Sequence, residues 1–386
     1  MEGILVRDLK VNSFFTDETF LDNQYILMAA EIPVSLDMVN RLQNWRFIQI
    51  YPKGELKENS APPNLHLSDT SSQLPTATLD KTIQEKEKQT RLITNYFDLI
   101  TFTEGIFSHF KQKKELNLPE ITTKVKEMIE WVKAERDYVL SFTSLKHPVT
   151  NYNIPHSVNS ALLAIAIGDY QKMPPHKIIE LGTAALLHEI GMVNIPEELY
   201  MKEGALTEKE KKTMATHTLW GYRILKSFSV PENIAEVTLN HHERSDGTGY
   251  PRRLVGDNFS TYSRIVSLAC SYDSCISKRP FKQPIDGHKT LLQFLTTHKL
   301  KYDDKALKSM VFCLSIFPLG TYVQLSDKSK GVVYKTNPED PKFPAVKLLY
   351  SKTGEKIEDH QVVQTLPEGG LKIIGTFSPE ELKERR

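Results

Sequence analysis

The stretch His241-His242-Glu243-Arg244-Ser245-Asp246-Gly247-Thr248-Gly249-Tyr250-Pro251 decides how this chain is read. Two adjacent histidines stand at the end of a helical pattern, and glycine and proline then turn the chain into a loop. Imidazole is the commonest transition-metal ligand, and carboxylates bridge or complete such sites. Neighbouring residues on a helix point about 100° apart. A helical pair can therefore serve two adjacent metals but not one metal from one face, which points to a dinuclear site. Two ions roughly 3.5–4 Å apart suit phosphodiester hydrolysis.

Outward from that stretch, His156, the pair His188-Glu189, and His217 lie in the same helical region, each near a glycine, proline or acidic residue. A bundle builds a metal site by projecting histidines and carboxylates inward from several helices. His109, His147, His176, His288, His298 and His360 read instead as ordinary surface or core side chains.

From Tyr152 to Phe281, about a third of the chain, the sequence resembles the HD-GYP family, a branch of the HD phosphohydrolases. The matches are Tyr152 with His156-Ser157, Leu186-Leu187-His188-Glu189-Ile190-Gly191, Ile195-Pro196, Leu206-Thr207 with Glu210, and His217 with Gly221. They continue through His241-His242-Glu243, Asp246 to Pro251, Arg264-Ile265 and Arg279-Pro280-Phe281. The resemblance implies hydrolysis of cyclic di-GMP to linear pGpG or GMP with two divalent transition metals, iron, manganese or similar. It implies metal-ligand positions at His156, His188, Glu189, His217, His241 and His242, with His188-Glu189 as the catalytic pair. It places Tyr250, Arg279 and Lys282 near the nucleotide and its phosphates. Arg279 and Lys282 read equally well as solvated surface charges.

Four positions depart from the family pattern. The family's His-Asp pair is His188-Glu189, one methylene longer. The lysine that usually follows is Met192, a thioether suited to packing. The last metal aspartate falls on Cys270, either a thiolate ligand for iron or zinc or a buried core thiol. Asp273, three residues on, lies on a similar helix face and is an alternative ligand. Tyr152 stands where members with three metals carry a glutamate, so two metals are expected. These departures leave two readings: a metal-dependent cyclic di-GMP phosphodiesterase of reduced activity, or a degenerate receptor or scaffold that binds cyclic di-GMP or a signalling protein through the Gly-Tyr-Pro loop.

The rest of the chain bounds these readings. It has 386 residues with 40% hydrophobic and 25% charged residues, a globular balance. Its net charge of +1 calls for neither DNA nor an acidic membrane. Three cysteines make no disulfide framework, no signal peptide or membrane-spanning run is visible, and a cytoplasmic location is expected. The expected fold is mainly α, an HD-type helical bundle with two small additions. Residues 1–53 read as a small α/β unit, with a helix capped by Ser35, and 54–78 as a flexible linker. Residues 79–142 read as connecting helices, 143–316 as the metal-binding bundle, and 317–386 as a β-rich module of alternating residues. The oligomeric state is not legible.

Overall fold

The computed structural model describes residues 3–11, 13–17, 19–20, 26–28, 34, 38–39, 42, 49–57, 76–145, 151–357, 361–378 and 381. The chain divides into two units, Met1–Thr78 and Leu79–Arg386. In the first, short strands β1 (Ile4–Leu5), β3 (Thr19–Phe20), β4 (Ile26–Met28) and β5 (Gln49–Pro52) form an antiparallel sheet of order β1-β5-β3-β4. Strands β2 (Phe14–Phe15) and β6 (Leu56–Lys57) make a separate pair. Val6, Phe15, Val34, Leu42 and Ile50 are its buried core. Most of the helix expected after Ser35, and residues 58–75 of the expected linker, lie outside the described residues; β6 falls in the linker's first part.

The second unit is mainly helical. Helix α1 (Thr76–Lys113) buries Leu92, Tyr96, Leu99, Ile100, Thr103, Phe107 and Phe110, a stripe at three- and four-residue spacing. Helix α2 (Leu118–Ser141) starts at Asn117, whose side chain accepts from the Glu120 amide. Helix α3 (Asn153–Tyr170) is buried without interruption from Asn153 to Gly168. A helix apolar on all sides belongs at the centre of a bundle. Accordingly α3 packs against α2, α4 (Pro175–Leu187), α9 (Thr261–Ile276) and α11 (Asp304–Leu314). Between α4 and α9 come a 3-10 turn (Ile190–Asn194), α5 (Glu197–Tyr200), α6 (Glu208–Ala215), α7 (His217–Ser227) and α8 (Glu232–Asn240). A capping box between Thr207 and Glu210 starts α6. Helix α10 (Gly287–Leu295) precedes α11.

One crossing fixes the geometry of the middle of this unit. A Cβ added to Gly191 would lie 1.9 Å from the His217 carbonyl oxygen and 2.5 Å from the Gly221 nitrogen. Only glycine lets the 3-10 turn lie against the start of α7 at that distance. The turn that follows His188-Glu189 is thereby held against the helix that begins with His217.

After α11 the chain forms strands β7 (Tyr322–Leu325), β8 (Lys330–Lys335), β9 (Ala345–Tyr350), β10 (Val362–Gln364) and β11 (Ile373–Thr376). They make one antiparallel sheet of order β10-β9-β8-β7-β11. The alternation in the sequence is the alternation of faces: Val323 and Leu325 are buried, and Tyr322 and Gln324 are half-buried. The sheet is tied to the helices where Asp137 Oδ2 accepts from the Thr336 amide (3.0 Å) and hydroxyl (2.7 Å). Among the described residues no helix is long and apolar enough to cross a membrane.

Gly191→Ala is expected to destabilise the protein by about 3 kcal/mol or more, the upper range for overpacking, in denaturant unfolding. Gly105, exposed in α1 with nothing within 4 Å of an added Cβ, is the control. Its replacement by alanine should stabilise by roughly 0.5–1 kcal/mol through helix propensity.

Candidate metal centre

The site is assembled from helix ends, the start of α3 and the middle of α9. His156 lies in the first turns of α3, and Cys270 in α9. His188 caps α4, with Glu189 next to it; His217 opens α7, and His241 caps α8. At helix ends the backbone carbonyls lack helical partners, and three imidazoles use the carbonyl three residues before them. His188 Nδ1 lies 2.6 Å from the Ala185 oxygen, His217 Nδ1 2.7 Å from that of Met214, and His241 Nδ1 3.0 Å from that of Thr238. A carbonyl can only accept, so Nδ1–H is the donor in each. In the neutral ring this leaves the Nε2 lone pair free, the orientation a metal ligand requires.

These lone pairs converge in two groups. Ligand atoms of Glu189, His217, His241 and His242 lie within 4.8 Å of one another, as do those of His156, His188 and Cys270. His217 Nε2 and His241 Nε2 are 3.2 Å apart. Glu189 stands between the groups. Its Oε2 is 3.4 Å from His217 Nε2, while its Oε1 is 3.7 Å from His156 Nε2 and 3.8 Å from His188 Nε2. The extra methylene of glutamate thus leaves one oxygen facing each group. His188 Nε2 and Glu189 Oε2 are buried and have no hydrogen-bond partner. Buried polar atoms are ordinarily paired, and a cation between the groups would satisfy both, so the donor set fits two divalent ions.

The alternatives at α9 separate by side of one imidazole. Cys270 Sγ lies 3.3 Å from His156 Nε2, inside a ligand group. Asp273 is not in either group; it sits behind the ring, its Oδ2 2.5 Å from His156 Nδ1. Its Oδ1 accepts from Asn159 Nδ2 (2.7 Å) and Ser277 Oγ (3.0 Å). Asp273, the alternative ligand expected from the sequence, thus stands outside both groups, with Oδ2 against His156 and Oδ1 taken by Asn159 and Ser277. Asn159 in turn accepts from the Tyr96 hydroxyl of α1 at 2.6 Å. The sequence reading missed this buried chain from Tyr96 through Asn159 and Asp273 to His156. Its only trace in the sequence is a pair of polar residues, Tyr96 and Asn159, on otherwise apolar helix faces.

The loop after α8 is fastened by Glu243, which is fully buried and not a ligand. Its two oxygens accept from the Arg252 amide (2.6 Å) and the Leu254 amide (2.9 Å). Gly249 passes so close to this turn that an added Cβ would lie 2.4 Å from the Arg244 nitrogen and 2.5 Å from the His242 oxygen. Tyr250 consequently stacks on His242, with ring centroids 4.7 Å apart and planes inclined by 29°. Arg279 lies over the Tyr152 ring, 5.0 Å from its centroid, and donates to Ser274 Oγ at 2.6 Å. Its Nε is buried without a partner. Lys282 turns its ammonium to the Ser274 carbonyl at 3.5 Å. Met192 packs with Ile195 and Tyr200 in a small apolar cluster that Tyr152 joins.

Burial sets the protonation of the site. It holds His241 and His242 well below the usual histidine range, helped by their neighbouring imidazoles. Burial alone would raise the Cys270 thiol, but the charge and hydrogen bond of His156 bring it down to about 5. Burial would lower His156, yet the Cys270 charge and the Asp273 hydrogen bond raise it to about 10. Glu189 is held well below the carboxylate range: burial alone would raise it, but four surrounding histidines outweigh that. Burial raises Tyr250 and carries Tyr152 up to about 12, so both keep their protons at neutral pH.

Residues 143–306 match the HD domain family. The chain is similar to the cyclic di-GMP phosphodiesterase PdeB of Borreliella burgdorferi, at 26% identity over 98% of this chain and 95% of that protein. It is also similar to a cyclic di-GMP phosphodiesterase of Pseudomonas aeruginosa, at 30% identity over 63% of this chain and 58% of that one. A solved HDG"Y"P protein from Bdellovibrio bacteriovorus overlaps 80% of this chain and 97% of its own, at 15% identity and a TM-score of 0.48.

The metal-free protein should lose stability on acidification. Histidines whose folded values are depressed contribute stability that is complete above the unfolded value, near 6.5, and is lost as pH falls below it. Each proton taken up on unfolding costs about 1.4 kcal/mol per pH unit. Urea unfolding in chelator between pH 7.5 and 5.5 tests this through His241 and His242, and a flat profile would exclude two buried neutral histidines. Cys270, depressed to about 5, acts in the same direction across this whole range, and His156, raised to about 10, acts against it above its unfolded value, so the slope due to His241 and His242 is read below about pH 6.5.

Proposed function

We propose that this HD-GYP domain is a metal-dependent phosphodiesterase that hydrolyses cyclic di-GMP to linear pGpG and GMP in second-messenger signalling in the cytoplasm. The observation that carries the reading is the Glu189 carboxylate, set between two ligand groups with one oxygen facing each, beside an unpartnered His188 Nε2. Two divalent transition ions, iron, manganese or similar, would supply there a water activated at neutral pH and charge neutralisation on the attacking and leaving oxygens.

The chain's own residues do the rest. The Nε2 atoms of His156, His188, His217, His241 and His242, with Glu189, would hold the ions, and the carbonyls behind His188, His217 and His241 and the Asp273 carboxylate behind His156 keep those rings oriented. Arg279 keeps its guanidinium over the Tyr152 ring, with one buried N–H free for a phosphate oxygen. Tyr250 stays protonated and offers its hydroxyl as a donor at the site's edge, fixed in place by the stack on His242. Lys282 adds a positive charge nearby, although its ammonium is turned to Ser274.

Met192 favours a second reading. Buried among Ile195 and Tyr200, it leaves an apolar wall where the resemblance leads one to expect a cation for phosphate. In that reading the domain binds cyclic di-GMP, or a signalling protein through the Gly-Tyr-Pro loop, without turnover.

Protein loaded with Mn(II) or Fe(II) without oxygen is expected to convert cyclic di-GMP. Glu189→Gln should lower turnover about 100-fold, the upper range for a change in a ligand shell. Arg279→Ala should raise KM roughly tenfold, as expected for one charged hydrogen bond. Absence of turnover with two ions bound per chain would sink the enzymatic reading. Calorimetry then separates a nucleotide receptor, which binds, from a scaffold for a protein partner, which does not.

A further inference from the structure

Resting on the dinuclear reading above, we infer that the two metal positions are chemically unequal: Cys270 gives one of them a thiolate, and the other has only nitrogen and oxygen ligands. The thiolate position is made by His156, His188 and Cys270, and the other by His217, His241, His242 and Glu189. Glu189 Oε1 faces the first group and Oε2 the second, so the carboxylate is the one ligand the two positions share.

Three observations assign Cys270 to the centre and not to the core. Its Sγ is 3.3 Å from His156 Nε2, on the face of the ring opposite Asp273. It belongs to a group of fully buried ligand atoms that includes His188 Nε2, which has no hydrogen-bond partner of its own. Cys313 shows the contrasting case: equally buried, it faces no imidazole, and its Sγ is 3.3 Å from the Ala166 carbonyl. Asp273 is not placed for the ligand role: its Oδ2 faces the Nδ1 side of His156, away from the Nε2 atoms, and Asn159 and Ser277 use its Oδ1.

The consequence is selectivity within one site. Soft thiolate ligands favour zinc and ferrous iron, whereas sets of imidazole and carboxylate accept manganese as well. The Cys270 position therefore holds zinc or ferrous iron tightly, and the His217–His241–His242 position exchanges among manganese, iron and zinc. The proton that Cys270 and His156 share between Sγ and Nε2 leaves to solvent as the ion binds. A bound thiolate keeps a negative charge at this position, so the ion there polarises its surroundings less than one held by neutral imidazoles alone.

Cobalt(II) is the probe, because thiolate coordination gives it a sulfur-to-metal charge-transfer absorption in the near ultraviolet that nitrogen and oxygen ligands do not. Full-length protein titrated anaerobically should show this band as the first equivalent binds and weaker visible bands alone as the second binds. The band should persist in Cys275→Ser and Cys313→Ser and vanish in Cys270→Asp. Cys270→Asp should still bind two cobalt ions and shift zinc-over-manganese preference at least tenfold toward manganese. Two cobalt ions bound by the wild type without the band would overturn the inference and leave the dinuclear site standing. Failure to bind cobalt at all would overturn both.

Discussion

A single steric requirement, the contact of Gly191 with the first turn of α7, carries the architecture of the centre. Any side chain at this position would collide with the His217 carbonyl. With hydrogen alone there, the turn after α4 and the start of α7 meet backbone to backbone. Glu189 and His217 are thereby brought to 3.4 Å although 28 residues of chain separate them. The other ligands have their own scaffolds, α3, α8 and α9, which are already packed around one core. The Gly191 contact links the two groups, because Glu189 stands in one and turns its other oxygen toward the second.

Around that junction the fold applies one device repeatedly. Four of the five imidazoles are held from the Nδ1 side by an acceptor that cannot donate: a carbonyl for His188, His217 and His241, and a carboxylate for His156. The rings are thus aimed before any ion arrives, which reduces the ordering needed on binding. The opposing cost is that buried lone pairs and a buried carboxylate face one another with little to satisfy them. Such a cost is tolerable in a fold where the apolar packing of α3 on its four neighbours supplies the stability.

Much of this was legible in the sequence. The five histidines stood in order with the glycines and prolines that end helices, and the mainly α class and the alternating C-terminal strands followed from periodicity. What stayed hidden depended on distant parts of the chain meeting. Helical spacing puts Cys270 and Asp273 on similar faces; only the placement of the His156 ring between them tells which of the two lies among the candidate ligand atoms. In the sequence Glu243 simply follows two histidines. In the fold it turns away and accepts two loop amides. The Tyr96 hydroxyl meets Asn159 across 63 residues, which no local pattern encodes. Met192 was read correctly as a packing residue from its chemistry, but its partners, Ile195 and Tyr200, were not.

The Tyr96 contact has a consequence for how such a domain can be inherited. The family match begins at residue 143, after α1 and α2 have ended. A recombination event at that boundary would carry every ligand into a new protein and leave behind the hydroxyl that steadies Asn159, and through it Asp273 and His156. The unit that can move between genes as a working part is therefore longer than the segment that looks alike. Its natural seam lies upstream of α1, and a chimera joined at residue 143 would inherit the ligands without their support.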